Sequence, residues 1–199
     1  NTIHSRDGSD TIATSGGADI VYGGNGADAI AGGTEADTLS GGIGDDIVRG
    51  DDGDDSIEGD DGADTLYGRA GIDLLSGNAH DDFLDGGADD DLLNGGGADD
   101  VVWGGTGHDT ATGGTGDDEV RGGSGNDVLT GDDGMDHVRG DAGDDTLLAS
   151  PGQGLVGGRE PGARHRLSRG RLRLGRRARH RACRRYRRGG HAHRQLRRQ

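Results

Sequence analysis

The chain has 199 residues, of which 45 are Gly and only 28% are apolar, and its formal net charge is −15 at pH 7. This composition is too poor in apolar residues for an ordinary globular core and by itself is typical of a disordered chain. The single cysteine, Cys183, excludes an internal disulfide framework, and no apolar run reaches the roughly 20 residues of a membrane-spanning helix. Only a repeat that buries its own apolar face on its neighbours would make such a chain fold.

The charge divides the chain into two segments. Residues 1–148 contain 36 acidic side chains and five Arg, which leaves −31, whereas 149–199 contain 17 Arg and one acidic residue, Glu160, which leaves +16. We therefore predict a repeat domain over 1–148 and a separate, disordered Arg-rich tail over 149–199.

Sixteen nonapeptides follow one another from Ser5 to Leu148 without an insertion or a deletion. Their pattern is Gly-Gly-x-Gly-x-Asp-x-U-x, where U is aliphatic, as in the repeat GGNGADAIA that begins at Gly23. The first two repeats lack the leading Gly pair and are interpreted as an eroded edge of the array. The sixth place is always aspartate: Asp10, Asp19, Asp28, Asp37, Asp46, Asp55, Asp64, Asp73, Asp82, Asp91, Asp100, Asp109, Asp118, Asp127, Asp136 and Asp145.

Each nonapeptide predicts one turn and one strand. Gly at several of the first four places allows positive φ, so we expect the first six residues of each repeat to form a tight turn. The last three residues, x-U-x, should form a short strand that points U inward. Two repeats then close a flattened coil of 18 residues with two parallel sheets. Eight coils would form a rod roughly 38 Å long at about 4.8 Å per rung.

Stacked coils would align the sixth-place aspartates in two columns, one on each edge. Carboxylates about 5 Å apart repel each other unless a cation lies between them. With the carbonyl oxygens of the Gly turns they offer an all-oxygen cage, which favours Ca²⁺ over Mg²⁺ or Zn²⁺. The Gly residues predicted to complete these sites are Gly24, Gly26, Gly42, Gly44, Gly105, Gly107, Gly114, Gly116, Gly123 and Gly125.

The charge supports the same ion. Seven gaps in each of two columns allow at most about fourteen ions, whose charge of about +28 nearly cancels the −31 of residues 1–148. The repeats GGNGADAIA, GGIGDDIVR, GGTGDDEVR and GGSGNDVLT resemble the calcium-binding nonapeptide of the repeats-in-toxin (RTX) family, also called the hemolysin-type calcium-binding repeat. The resemblance implies an all-β, parallel β-roll, a right-handed solenoid that folds on meeting calcium outside the cell, usually in proteins exported by type I secretion.

Four repeats depart from the pattern at the fourth place, where Glu35, His80, Asp89 and Ala98 replace Gly. A side chain there should strain the turn by about 1 kcal/mol or more. Three of the four lie in consecutive repeats, so we expect weaker or missing calcium sites at the turns that hold Asp82, Asp91 and Asp100.

The same region carries unusual outward residues. Tyr67, Phe83, Val101 and Trp103 are predicted to share one face of the array. They are either residues of ordinary β-propensity on an exposed face or a docking surface for another domain or chain.

Other kinds of site do not fit the chain. No window from Asp45 to Asp61 matches an EF-hand, and no Gly-rich stretch continues into the Lys-Ser/Thr of a phosphate loop. His80 and His108 each precede an aspartate but lack a nucleophile or an orienting group, so we predict that the chain is not an enzyme.

The Arg-rich segment has two interpretations. We favour translation out of frame, because the Gly and Asp codons GGC and GAC, read two bases late, become the Arg codons CGG and CGA. The alternative is a genuine disordered cationic tail that binds nucleic acid, acidic lipid or the array itself.

We predict a calcium-binding folding switch and rigid spacer from a secreted or surface bacterial protein, with no nucleic acid bound by the array. One alternative is a structural adhesin or surface-layer segment. Another is the calcium module of a secreted protease, lipase or toxin whose catalytic domain precedes Asn1.

Overall fold

The computed structural model describes residues 1–149 and 166–169, with side chains described over 1–148. Within these ranges the chain consists of strands and short turns, and it has no helix long and apolar enough to cross a membrane. The strands are β1 Thr2–His4, β2 Thr11–Ala13, β3 Ile20–Asn25, β4 Ala29–Thr34, β5 Thr38–Ile43, β6 Ile47–Asp52, β7 Ser56–Asp61, β8 Thr65–Ala70, β9 Leu74–Ala79, β10 Phe83–Ala88, β11 Leu92–Gly97, β12 Val101–Thr106, β13 Thr110–Thr115, β14 Glu119–Ser124, β15 Val128–Asp133, β16 His137–Ala142, β17 Thr146–Ala149 and β18 Arg166–Arg169.

Successive strands alternate between two parallel sheets. The odd-numbered strands from β1 to β17, followed by β18, form a ten-stranded sheet, and the even-numbered strands from β2 to β16 form an eight-stranded sheet. Within the array every strand pairs with the strand 18 residues away, as in Leu84 opposite Leu66 and Val102. The predicted all-β solenoid with 18 residues per coil is confirmed.

The division of the nonapeptide into turn and strand was predicted wrongly. From β3 to β16 each strand has six residues instead of three, because the first three places of the next repeat continue it. Gly24 pairs with Gly42 and Asn25 with Ile43, so these places follow the sheet and do not turn away from it. Only the fourth to sixth places remain for the turn.

The core is one cluster of aliphatic side chains between the two sheets, to which each sheet contributes a row of residues 18 apart. The U side chains from Val21 onward are all at most 2% exposed, and Ile3 and Ile12 are partly buried at the edge. Each fully buried Val, Leu or Ile side chain contributes about 1.5–3 kcal/mol. The core residues are Val21, Ile30, Leu39, Val48, Ile57, Leu66, Leu75, Leu84, Leu93, Val102, Ala111, Val120, Leu129, Val138 and Leu147.

The two ends of the array differ from its middle. At the start, β1 and β2 have only three residues, and Asp10 is less buried than the later sixth-place aspartates. At the other end β18, a strand that was not predicted, pairs with β17 through Thr146 and Arg166. The remainder of the predicted tail, and with it the question of translation out of frame, lies outside the described residues.

Candidate metal centre

The sixth-place aspartates are the last residues of the turns, directly before the strands, and their side chains lie inside the coil. All fifteen from Asp19 to Asp145 are only 1–3% exposed, although aspartate is seldom buried without a partner. Since each coil contains two turns, the side chains form two columns on opposite edges. The predicted alignment of residues 18 apart is therefore confirmed for every sixth-place aspartate.

From Asp28 onward, one carboxylate oxygen of each sixth-place aspartate connects neighbouring coils. The backbone N–H of Asp10 donates to Asp28 Oδ1 at 2.7 Å, and the N–H of Asp28 donates to Asp46 Oδ1 at 2.7 Å. The same bond recurs in both columns as far as Asp127 and Asp145, at 3.1 Å. Each Oδ1 therefore fixes the register of the preceding coil.

In thirteen of the aspartates the other carboxylate oxygen has no such partner. Their Oδ2 is buried and receives no hydrogen bond from the described residues, although a buried carboxylate without compensation is costly. These Oδ2 atoms suit a metal ion, since a hard cation beside them would supply the missing positive charge. The aspartates concerned are Asp19, Asp28, Asp37, Asp46, Asp55, Asp64, Asp73, Asp82, Asp91, Asp100, Asp109, Asp118 and Asp127.

The first-place glycines leave room for these oxygens. A Cβ built on Gly23 would lie 2.6 Å from Asp28 Oδ2, and one built on Gly32 would lie 2.5 Å from Asp37 Oδ2. From Gly23 onward, a side chain at the first place would therefore collide with the carboxylate. The Gly that begins the motif is required by the position of the aspartate five residues later.

The predicted glycine ligands occupy two positions along the coil edge. The second-place residues lie one residue before the ends of strands, and the fourth-place residues begin turns; the former are Gly24, Gly42, Gly105, Gly114 and Gly123, and the latter are Gly26, Gly44, Gly107, Gly116 and Gly125. All ten have positive φ between 104° and 144°. A Cβ on Gly44 would lie 2.5 Å from the carbonyl oxygen of Gly26, so successive turns approach each other through backbone oxygens.

The four substituted turns have a different backbone. Glu35, His80, Asp89 and Ala98 adopt φ of 68–82°, whereas the fourth-place glycines from Gly26 onward adopt 121–154°. The first range is the left-handed region, which a side chain enters at some cost, and the second is reached readily only by Gly. The predicted strain at these four residues is confirmed, and their carbonyl groups belong to a turn of altered shape.

Sequence reasoning missed six further strained residues at the second place. Asp51, Asp60, Arg69, Asn78, Asp132 and Asp141 have φ of 62–90°. Five of the six are Asp or Asn, which tolerate the left-handed region better than other side chains. This preference was the available signal, because these residues replace the second Gly of the motif.

A second ladder of side chains at the fifth place was also missed. Asp45 Oδ1 accepts from the N–H of Ala63 at 3.0 Å, and Asp54 Oδ1 accepts from Ile72 at 2.8 Å. Here the donor belongs to the later coil, which is the reverse of the sixth-place ladder. Recurrent Asp at the fifth place was the signal for this outer ladder.

Burial raises the pKa of many sixth-place carboxyls. It brings the pKa of Asp73, Asp82, Asp91 and Asp100 to about 7, and that of Asp46 to about 6. The N–H of the preceding aspartate opposes the shift, while neighbouring carboxylates add to it. Without a cation these groups therefore hold protons near neutral pH.

The metal-binding groups do not form a conventional cluster. In the described part of the chain, no three His, Cys, Asp or Glu side chains converge on one point. The repeat explains this, since each turn brings a single inward carboxylate and the remaining oxygens are backbone carbonyls. All-oxygen sets of this kind suit Ca²⁺, which accepts six to eight ligands in flexible geometry.

The comparison with family models supplies the decisive observation. The model of the RTX calcium-binding nonapeptide repeat matches four successive blocks, 4–39, 40–75, 76–111 and 112–147. The chain belongs to this family. The RTX repeats bind calcium, and the buried Oδ2 columns are the part of the structure that fits this ion. No curated protein gives a significant match to the chain.

The RTX array also carries the predicted outward cluster. The ring of Phe83 lies 5.9 Å from that of Tyr67 and 5.0 Å from that of Trp103. Val101 pairs with Phe83 on the adjacent strand of the eight-stranded sheet. The expectation that these four residues share one face is confirmed, and their role as a docking surface remains a prediction.

Proposed function

We propose that the RTX array is a calcium-driven folding switch and rigid spacer in a secreted or surface bacterial protein. The observation that carries the proposal is the pair of buried Oδ2 columns, because they place unneutralised carboxylates inside a fold with a thin core. Without calcium, repulsion among the excess negative charges favours an expanded chain. Calcium binds the folded array and not the expanded chain, so its binding free energy stabilises the folded state.

A calcium titration followed by circular dichroism tests this proposal. We expect a cooperative gain of β-structure in the millimolar range typical of extracellular calcium modules, since neighbouring sites share turns. Mg²⁺ is the matched control and should produce a much smaller change, because it demands a rigid octahedral site. An unchanged spectrum at about 10 mM calcium, well above that range, would refute the proposal.

The altered turns support a graded set of calcium sites. The left-handed φ of His80, Asp89 and Ala98 changes the backbone beside Asp82, Asp91 and Asp100. We propose that the sites at these three turns bind calcium more weakly than those at turns with fourth-place Gly.

A second candidate function is that of a structural adhesin or surface-layer segment. Contact among Tyr67, Phe83 and Trp103 on an outward face favours it, since clustered exposed aromatic rings often mark interaction sites. Size-exclusion chromatography of the calcium-loaded chain mixed with isolated cell-surface material tests this function. If Trp103→Ala bound the material as well as the unchanged chain does, the aromatic cluster would not be the contact surface.

A further inference from the structure

The outward aromatic cluster surrounds an acidic side chain. Asp85 lies directly opposite Tyr67 on one neighbouring strand and Trp103 on the other. Adjacent strands are about 4.8 Å apart, so the two rings stand about 9.6 Å apart at their backbones with the carboxylate between them. Phe83 contacts both rings on one side, and beyond Asp85 the same face continues with Gly87 and Gly105, which have no side chains.

The Asp85 carboxylate has no counter-ion in contact. Among the described residues, no donor and no basic group lies within bonding distance of it, and Arg69 acts on it only from farther away. Partial burial raises the pKa of this carboxyl, as expected where desolvation is not compensated by a cation. A positively charged hydrogen-bond donor beside the Asp85 carboxylate would offset this cost of desolvation.

Strand β14, which pairs with the strand of Trp103, shows which cation binds between an aromatic ring and a carboxylate on this face. The guanidinium of Arg121 lies 5.5 Å from the centre of the Trp103 ring, and its Nε donates to Glu119 Oε1 at 2.7 Å. Arg69 stands over Tyr67 in a similar way, at 5.2 Å. An arginine on a ring with a carboxylate beside it is therefore an arrangement that this face already contains, and Asp85 offers a further carboxylate of the same kind.

We propose that Tyr67, Phe83, Asp85 and Trp103 form a binding site for an arginine side chain of a basic partner polypeptide. The guanidinium stacks on the part of the Trp103 ring that Arg121 and Phe83 leave uncovered, the residue being 37% exposed, and donates to the Asp85 carboxylate. Calcium bound along the columns nearly cancels the −31 of residues 1–148, so the attraction for a basic side chain comes from the local Asp85 carboxylate. Arginine is preferred to lysine, because its planar group stacks and donates at the same time.

Trp103 is the only tryptophan of the chain, so its fluorescence reports on this site alone. The full chain in saturating calcium is titrated with N-acetyl-arginine amide, and with the neutral isostere N-acetyl-citrulline amide at matched ionic strength. We expect saturable quenching by the arginine derivative at millimolar concentration and none by the citrulline derivative. Equal responses to the two compounds, or no response to either, would overturn the proposal.

Two variants assign the effect to Asp85. Asp85→Asn should weaken arginine binding by about tenfold or more, because a charge-assisted hydrogen bond is lost. Glu58→Gln is the matched control, since Glu58 occupies the same ninth place on the other sheet between Ser40 and Ser76. Both variants should keep the calcium-dependent circular dichroism signal, so unfolding is detected separately. Binding that Asp85→Asn leaves unchanged would contradict the assignment.

Discussion

At the scale of single residues, backbone conformation separates two kinds of turn. Fourth-place Gly adopts φ values that side chains avoid, whereas Glu35, His80, Asp89 and Ala98 move the same position into the left-handed region. The aspartate of each such turn is still buried and still accepts the N–H from the preceding coil, as Asp100 does at 2.8 Å. The ladder therefore persists where the carbonyl arrangement has changed.

Ala98→Gly should strengthen calcium binding and raise the stability of the calcium-loaded fold. The change removes a side chain from φ of 82° and keeps the N–H that donates to Thr115 O at 2.7 Å. We expect a gain of about 1 kcal/mol in the free energy of unfolding and a lower calcium midpoint. Urea unfolding at fixed calcium and a calcium titration measure the two effects.

Ala63→Gly is the control for this change. Ala63 has no positive φ, so the added backbone freedom should destabilise the fold by about 0.5–1 kcal/mol. If the two substitutions shifted stability in the same direction, the φ of Ala98 would not be the cause of a weak site.

At the scale of the strand, alternation decides which side chain stabilises the array. In β10 and β11 the U residues Leu84 and Leu93 are fully buried, whereas Leu92, next to Leu93, is 50% exposed. The same residue type therefore has opposite surroundings at adjacent positions. Because coils contact only their neighbours, a defect in one strand should affect the coils on either side of it most strongly.

Leu93→Ala should lower the free energy of unfolding of the calcium-loaded chain by about 2–5 kcal/mol, since it leaves a cavity between neighbouring coils. Leu92→Ala removes the same atoms from the exposed face and should cost less than about 0.5 kcal/mol. Denaturant unfolding of both variants in saturating calcium makes the comparison. Similar losses for the two would contradict the inward position of the U residues.

At the scale of the whole molecule, proton and calcium binding compete for the same carboxyls. Burial raises the pKa of Asp73, Asp82, Asp91 and Asp100 to about 7 in the folded chain, above the ordinary value near 4. The folded, calcium-free chain therefore binds more protons than the unfolded chain. Its stability is greatest below the ordinary pKa and is lost as the pH rises through about 7.

In the absence of calcium, we expect β-structure near pH 4 that disappears as the pH approaches neutrality. The calcium midpoint should fall over the same range, because each bound ion displaces protons from the columns. Circular dichroism across this pH range, with chelator and then with calcium, measures both trends. Greater stability of the calcium-free chain at neutral pH than at pH 4 would contradict the inward placement of the Oδ2 atoms.

The sequence by itself determined the features that depend on period and residue type. Nine-residue spacing of Asp and of U was sufficient for the solenoid, the 18-residue coil, the two columns and calcium as their ion. It also placed Tyr67, Phe83 and Trp103 on one face, because alternation and the 18-residue repeat leave no other arrangement.

Only the tertiary structure decided where each backbone group pairs. The Gly-Gly-x segment of Gly23, Gly24 and Asn25 resembles a turn in isolation, but hydrogen bonds to the coil 18 residues away make it part of a strand. The same contacts assign Oδ1 of each aspartate to the preceding coil and leave Oδ2 for a cation. A linear sequence specifies which residues recur, whereas the neighbours of each atom depend on how one coil rests on the next.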